Sequence, residues 1–387
     1  MSKYFSEEEW KKINHELLEN PQKYGFPKRV YGSVVIGSFN IRKLGGVAKR
    51  NKETWDFIAK VCAQFDLLAV QEVMDDLSGL KHLLELMGDE YGMIVSDKTG
   101  VFPGDQGLGE RLAFIFRWSV IKRGEVVSDI TYDRSKVTEI LFENYDGILE
   151  AKKKYDAKLK KFESGSLKKK PKFELPIFFS FIRQPFCVSF KIAGHPGTKP
   201  IRFMAINAHL IFGTPSERKK EFQALMEWII NRVQEYEKSY YPNFILLGDL
   251  NLDYDDPAKD YKEIAKYLKS FNTNTVDEIN INFPFLDIHP TRETQYTSNV
   301  KMTQRYDQIG MFFKDKGFPT YLDNKVMGEN EKGPDFGVFN FTELFSNALY
   351  EKSYNELSSE EKETIVCKYE HKVSDHMPIW IRLPLPE

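Results

Sequence analysis

Six polar clusters stand at the ends of apolar runs in this 387-residue chain, and their residue types suit metal binding and proton transfer. Asn40 follows VVIGSF, Glu72 follows LLAVQ, and His209 follows FMAINA. Asp249 and Asn251 follow FILLG, Asp307 precedes QIGMFF, and Asp375-His376 precedes MPIWIRL. A buried charge persists only when it is paired or bound to a metal. Carboxylates, amides and imidazoles gathered on one rim would therefore hold a hard cation through oxygen ligands and pass protons. In an extended segment residues two apart point to the same side. Asp249 and Asn251 would then address one ligand while Leu250 packs inward.

Each apolar run predicts a buried strand, because β-branched and aromatic residues fill stretches of four to eight between loop signals. Strands are expected near Ser33–Asn40, Leu67–Gln71, Tyr91–Ser96, Arg111–Arg117 and Ile121–Val127, then near Phe186–Ile192, Ile201–Leu210, Phe244–Leu247, Gln308–Phe313 and Met377–Leu383. Helices are expected near Asn51–Gln64 and Leu77–Met87. A longer one is expected near Ser216–Glu237, where Phe222, Leu225, Met226, Ile229, Ile230 and Val233 repeat at helical spacing. Ser6 and Glu9 read as a capping box opening a helix that ends before Pro21. Some of the polar residues leave their strand and others enter one. In a mostly antiparallel fold both kinds of end can share a rim.

The length suits one large α/β domain or two small ones, and 41% hydrophobic residues can fill a core. A net charge of −2 gives no global attraction to nucleic acid, so any basic surface must be local. One such feature exists. Between Glu150 and Lys172 there are ten lysines and three acids. It reads either as a phosphate-binding stretch or as a solvated helix face. Residues 144–176 and 314–372 look like insertions within a single domain spanning 1–387. The three cysteines, Cys62, Cys187 and Cys367, are scattered and odd in number, which argues against a disulfide framework and for a reducing compartment. No signal-like segment and no 18-residue apolar run is present, so the expectation is a soluble cytoplasmic monomer that does not engage membranes.

Seven pieces in order, SFNIR (38–42), AVQEV (69–73), GERLAFIFR (109–117), NAHL (207–210), LLGDLNLD (246–253), RYDQI (305–309) and SDHMP (374–378), resemble the endonuclease/exonuclease/phosphatase superfamily. The DNase I-like branch fits best. It carries the equivalents of Glu110 and His209, which exonuclease III-like members lack, and FIRQPFCVSF (181–190) resembles its Arg-x-Pro-Phe strand. Inositol 5-phosphatases carry Trp-Cys-Asp-Arg where this chain reads RYDQI. The disulfide and signal peptide of secreted DNase I have no counterpart here.

The resemblance implies a four-layer α/β/β/α sandwich of two mixed β-sheets and a Mg²⁺- or Mn²⁺-dependent phosphodiester hydrolase. The expected reaction is endonucleolytic cleavage of DNA to 5′-phosphate ends. The alternative is a phosphatase or a sphingomyelinase/phospholipase C-like phosphodiesterase of the same superfamily. Asn40, Glu72 and Asp375 are the expected metal ligands. Asp249 would orient and deprotonate the attacking water, and Asn251 would contact the transition state or hold Asp249. Two acid–imidazole pairs, Asp307–His376 and Glu110–His209, would donate to phosphate oxygens or to the leaving 3′-oxygen. Arg111 and Arg183 are candidates for a neighbouring phosphate, with a structural ion pair as the competing role. His195 and His289 read as satisfied residues outside the site. The loop Asp97–Gly109, with four glycines, would approach a DNA backbone or act as a connection.

Overall fold

The computed structural model describes residues 4–98, 109–171, 173, 176–235, 240–252, 262–266 and 279–387. Most of the glycine-bearing loop between Asp97 and Gly109, and the far end of the helix expected to reach Glu237, lie outside these.

Two six-stranded mixed sheets form the centre. The first contains β1 (Ser33–Leu44), β2 (Leu67–Val73), β3 (Tyr91–Val95), β4 (Arg111–Arg117), β11 (Asp335–Val338) and β12 (Ile379–Pro384), in the order β11-β12-β1-β2-β4-β3. The second contains β5 (Ile121–Asp129), β6 (Phe186–Ile192), β7 (Ile201–His209), β8 (Phe244–Asp249), β9 (Asn280–Asn282) and β10 (Asp307–Phe313), in the order β5-β6-β7-β8-β10-β9. Each sheet has one parallel pair at its centre, β1 with β2 and β7 with β8, and antiparallel neighbours around it. Parallel strands need a crossover, and α2 (Lys52–Cys62) and α6 (Pro215–Gln234) supply one each.

Strand alternation sorts the side chains into layers. In β7 and β8, Met204, Ile206, Ala208, Phe244 and Leu246 pack with α6 residues Leu225, Ile229 and Val233. The intervening Phe203, Ala205, Ile245 and Leu247 join the larger core shared with the first sheet. Phe114 stacks on Phe186, and Phe116 meets Phe190 edge-on, across the same interface. Helices α1 (Glu7–Glu19), α3 (Ser78–Met87), α7 (Phe341–Tyr350) and α8 (Ser359–Tyr369) add buried side chains to the first-sheet core. The expected four-layer sandwich is observed.

Several boundaries differ from the sequence reading for physical reasons. The strand expected to stop at Asn40 runs on to Leu44, because an irregularity between Asn40 and Leu44 shifts register without ending the pairing. Strands β9 and β11 are three and four residues long, too short to show an alternation. The helical pattern after residue 144 is α5 (Tyr145–Glu163), preceded by α4 (Arg134–Glu143), which buries no residue and so has no apolar stripe to read. Residues 314–372 supply β11, which completes the edge of the first sheet, together with α7 and α8. Among the described residues no helix is long and apolar enough to cross a membrane.

Candidate active site

Strand direction explains why residues far apart in sequence meet. The central parallel strands β1, β2, β7 and β8 all end at one rim, bringing Asn40, Glu72, His209 and Asp249. The antiparallel neighbours β4 and β10 begin there, bringing Glu110 and Asp307. In the second sheet His209, Asp249 and Asp307 lie in one row, since His209 pairs with Asp249 in register and Asp249 pairs with Asp307. All three share the parity of the core-facing residues Ala205, Leu247 and Ile309, so their side chains face the first sheet. Gly248 permits this row. A Cβ there would meet the Ala208 carbonyl oxygen at 1.9 Å, so a larger residue would push β8 off β7 just before Asp249.

Asp249 lies at the centre of the group and is 1% exposed. Its Oδ2 accepts a hydrogen bond from Asn40 Nδ2 at 3.0 Å and lies 3.5 Å from Nε2 of both His209 and His376. Behind each imidazole stands an acid. His376 Nδ1 is 2.8 Å from Asp307 Oδ2, and His209 Nδ1 is 3.0 Å from Glu110 Oε2. Both expected dyads are therefore assembled, and both point at one carboxylate.

The environment separates the charge states. Burial opposes ionisation of Asp249, but the His376 and His209 rings, the Asn40 amide and the Asn251 N–H outweigh it and hold the carboxyl below the usual aspartate range. Burial likewise opposes the imidazolium of His376, yet the Asp307 and Asp249 carboxylates prevail and push its pKa up to about 10. For Asp307 burial wins and raises the carboxyl. Glu110 is held below the glutamate range, where the His209 ring and the Arg183 guanidinium overcome the burial that would raise it.

Asn251 is not in extended backbone. Its φ of 51° is left-handed, and its N–H donates to Asp249 Oδ1 at 3.0 Å in an Asx-type turn. Its side-chain amide donates to the Leu210 carbonyl at 2.8 Å, while Leu250 is buried as expected. The spacing rule for extended chain does not hold here, because the turn after β8 is tighter than a strand.

A second polar corner adjoins this group. Glu72, with φ of 56° beside a register shift in β2, accepts from Asn40 Nδ2 at 3.2 Å and from the Lys43 N–H at 2.9 Å. Asn40 Oδ1, Asp307 Oδ1 and Asp375 Oδ1 are buried oxygens with no hydrogen-bond partner. Buried acceptors left over beside a carboxylate are the donor set a hard divalent cation takes, so the residues fit Mg²⁺ or Mn²⁺. Asp249, Asp307 and His376 also converge closely enough to hold an ion. The His376 Nδ1–Asp307 Oδ2 contact ties two of these side chains to each other. Asp375 pairs with Arg42 Nη1 at 2.9 Å, and burial raises its carboxyl.

The two arginines lie differently from one another. Arg183 is buried beneath the Glu110–His209 dyad, with Nε 2.6 Å from Glu110 Oε2 and Nη1 donating to the carbonyls of His209 and Leu210 at 3.3 and 3.2 Å. Arg111 falls on the opposite face of β4 from Glu110, as alternation predicts, and pairs with Asp97 at 3.1 Å and Asp75 at 3.9 Å. The structure thus brings Arg183 into the group and directs Arg111 away from it. His289 is a buried residue satisfied by Asp335 at 2.9 Å.

Some supporting residues make contacts that the sequence does not assign to them. Ser374 Oγ donates to the Asn40 carbonyl at 2.6 Å and accepts from the His376 N–H at 3.1 Å, tying the turn before β12 to β1. Gln71 Nε2 donates to Asn207 Oδ1 at 2.7 Å, and Asn207 Nδ2 donates to the Val70 and Ala113 carbonyls at 3.0 and 2.8 Å, stitching the two sheets below the site. Glu221 of α6 accepts from the Ile182 and Ile211 N–H groups. Ser374, Gln71 and Asn207 lie within or beside the motifs, which was the available signal. Glu221 is masked by the helical pattern around it.

No family model matches the chain. The chain is similar to deoxyribonuclease-1 of Gallus gallus, 24% identical over 229 residues, a match spanning 58% of this chain and 63% of that protein. Among solved structures it is similar to an endonuclease/exonuclease/phosphatase family protein from Bacteroides thetaiotaomicron, with a TM-score of 0.46 at 14% identity, covering 91% of this chain and 94% of the other. It is also similar to the catalytic domain of human Nocturnin, with a TM-score of 0.45 at 13% identity, covering 92% and 96%.

Proposed function

We infer, from the DNase I-like superfamily that the avian relative supports and from the geometry of the rim, that this chain is a metal-dependent phosphodiester hydrolase acting as an endonuclease on DNA. The observation that carries this reading is the convergence of two acid–imidazole pairs on the single carboxylate of Asp249, with both Nε2 atoms 3.5 Å from its Oδ2.

A phosphodiester repels anionic nucleophiles, so its hydrolysis needs charge neutralisation, an aligned water and help for the leaving oxygen. Asp249, kept ionised by its neighbours, accepts the proton of the attacking water. Asn251 fixes Asp249 through its backbone N–H and anchors the turn to Leu210. His376, kept protonated by Asp307, and His209, held by Glu110, flank the phosphate and donate to its oxygens and to the departing 3′-oxygen, which leaves a 5′-phosphate product. Arg183 is a positioning residue, since it holds Glu110 and the end of β7 rather than substrate. Mg²⁺ or Mn²⁺, held by Asn40, Glu72 and Asp375, supplies charge neutralisation at the phosphate when bound.

The test is a panel of plasmid DNA, single-stranded DNA, RNA, an abasic duplex and sphingomyelin, each with Mg²⁺ and with EDTA, using an Asp249→Asn preparation as the control for contaminating nuclease. Mg²⁺-dependent nicking of plasmid by the wild type alone is expected. Hydrolysis of sphingomyelin with no cleavage of nucleic acid would replace this reading with the phospholipase C-like one.

A further inference from the structure

The lysine-rich insertion has a definite root. Strand β5 ends at Asp129, which pairs with Phe186 at the start of β6, and Phe186 pairs with Asn207 of β7, two residues before His209. The whole segment 130–185 therefore leaves and re-enters the second sheet near the catalytic rim, two strand spacings or roughly 10 Å across from β7 at its exit. Its returning end carries Arg183, the residue that holds Glu110 and the His209 carbonyl. Within this segment α5 has 19 residues, about 28 Å of helix.

That helix has two faces. Ile148, Tyr155, Leu159 and Phe162 are half-buried along one side, and Tyr155 meets Phe173 of the return segment edge-on. The return segment is fastened to α6 where Lys220 donates to the Pro176 carbonyl at 2.7 Å. Lys153, Lys160 and Lys161 lie on the other side and Lys158 on the flank between, and all four are exposed. Lys152 and Lys154 are paired with Asp156 and Glu150, whereas no carboxylate among the described residues lies within ion-pair distance of those four. In a chain of net charge −2 this is a concentrated block of positive charge, and it is attached to the edge where the scissile phosphate would lie.

We propose that the α4–α5 helical segment is a backbone-binding arm, whose exposed lysines engage the phosphates of nucleic acid flanking the bond to be cut. This rests on the endonuclease reading and makes it specific to a polymer. An arm of about 28 Å faces roughly eight base pairs of duplex, at about 3.4 Å per pair. The phosphates are a matching row of negative charge, and the contact carries no sequence information. A small diester, lacking flanking phosphates, would not sense the arm.

The experiment compares wild type with a variant carrying Lys153→Gln, Lys158→Gln, Lys160→Gln and Lys161→Gln. Glutamine keeps the helix propensity and removes only charge. Binding of a fluorescent 30-base-pair duplex is measured by anisotropy in EDTA across a salt series, and hydrolysis of bis(p-nitrophenyl) phosphate is measured with Mg²⁺. The expected result is about tenfold weaker duplex binding, with the slope of log affinity against log salt reduced by about 0.9 for each lysine that meets a phosphate. The rate on the small diester stays unchanged. Equal affinity and equal slope for the two proteins would overturn the arm. So would charge-dependent binding to phosphatidylserine vesicles without binding to the duplex. Failure of the endonuclease reading shows separately, as hydrolysis of the small diester by a wild type that cleaves no nucleic acid.

Discussion

Asp249 is held from four directions, by two imidazoles, the Asn40 amide and the Asn251 N–H. An amide in its place keeps the shape but cannot take a proton. Asp249→Asn is therefore expected to lower kcat by 10²-fold or more, the range for loss of a general base, while far-UV circular dichroism stays the same. Activity within tenfold of wild type would remove Asp249 from the chemistry. The Glu110–Arg183 pair is a different case, because Arg183 reaches the reaction only through Glu110 and the end of β7. Arg183→Leu should lower kcat about tenfold by leaving Glu110 buried without its cation. Arg183→Lys should restore part of the rate, and adding Glu110→Gln to Arg183→Leu should cost little more. Losses that simply add in the double variant would show that Arg183 does not act through Glu110.

At the scale of elements, the rim depends on how the two sheets are fastened and on how α1 closes the first layer. Asn207 bridges β7 to β2 and β4, and its removal takes away the acceptor of one Gln71 N–H and the amide donor shared by two buried carbonyls. Asn207→Ala should destabilise the protein by about 3 kcal/mol, read as a lower urea midpoint. A change below about 1 kcal/mol would mean that the contact is not what joins the sheets. Helix α1 is capped by the Ser6–Glu9 box, and Glu9 also pairs with Lys368 of α8. Burial opposes its ionisation, but Lys368 and the Ser6 N–H overcome this and lower its pKa from the ordinary 4.5. A carboxyl lowered in the folded state contributes stability that is present above pH 4.5 and is lost as pH falls through the folded value. Because Glu9 is partly exposed, its worth is well under about 1 kcal/mol. Glu9→Gln should flatten the acid limb of the stability–pH curve and leave the neutral region within a few tenths of a kcal/mol once the cap is discounted.

For the molecule as a whole, metal binding and the inserted helical segment can be tested by stability rather than by turnover. A cation that binds only the folded state adds about 2.7 kcal/mol at a hundredfold excess over its Kd. Mg²⁺ should accordingly raise Tm by several degrees over EDTA. Glu72→Gln should abolish that rise without lowering Tm in EDTA, and an undiminished rise would place the ion elsewhere. Helices α4 and α5 bury no residue, so replacing residues 134–171 with a short flexible linker should change Tm by no more than about 3 °C. A larger fall would make this segment part of the core.

The apolar runs and the polar residues closing them were legible without coordinates, because burial on both faces of a strand leaves a continuous hydrophobic signature and a polar end stands out against it. For the same reason both dyads could be paired through the superfamily resemblance, and the outward turn of Arg111 followed from alternation along β4. Tertiary structure decided the rest. That Asp249 is the meeting point of both dyads depends on the in-register row His209–Asp249–Asp307, which only strand pairing sets. The left-handed Asn251 and the burial of Arg183 under Glu110 arise from the turn after β8 and from the segment returning to β6. The lysine stretch was a charge without an address until β5 and β6 rooted it at the rim. Composition records which side chains repel water or carry charge. Which of them share a rim is fixed by long-range pairing between strands, and that information is not local to any stretch of the chain.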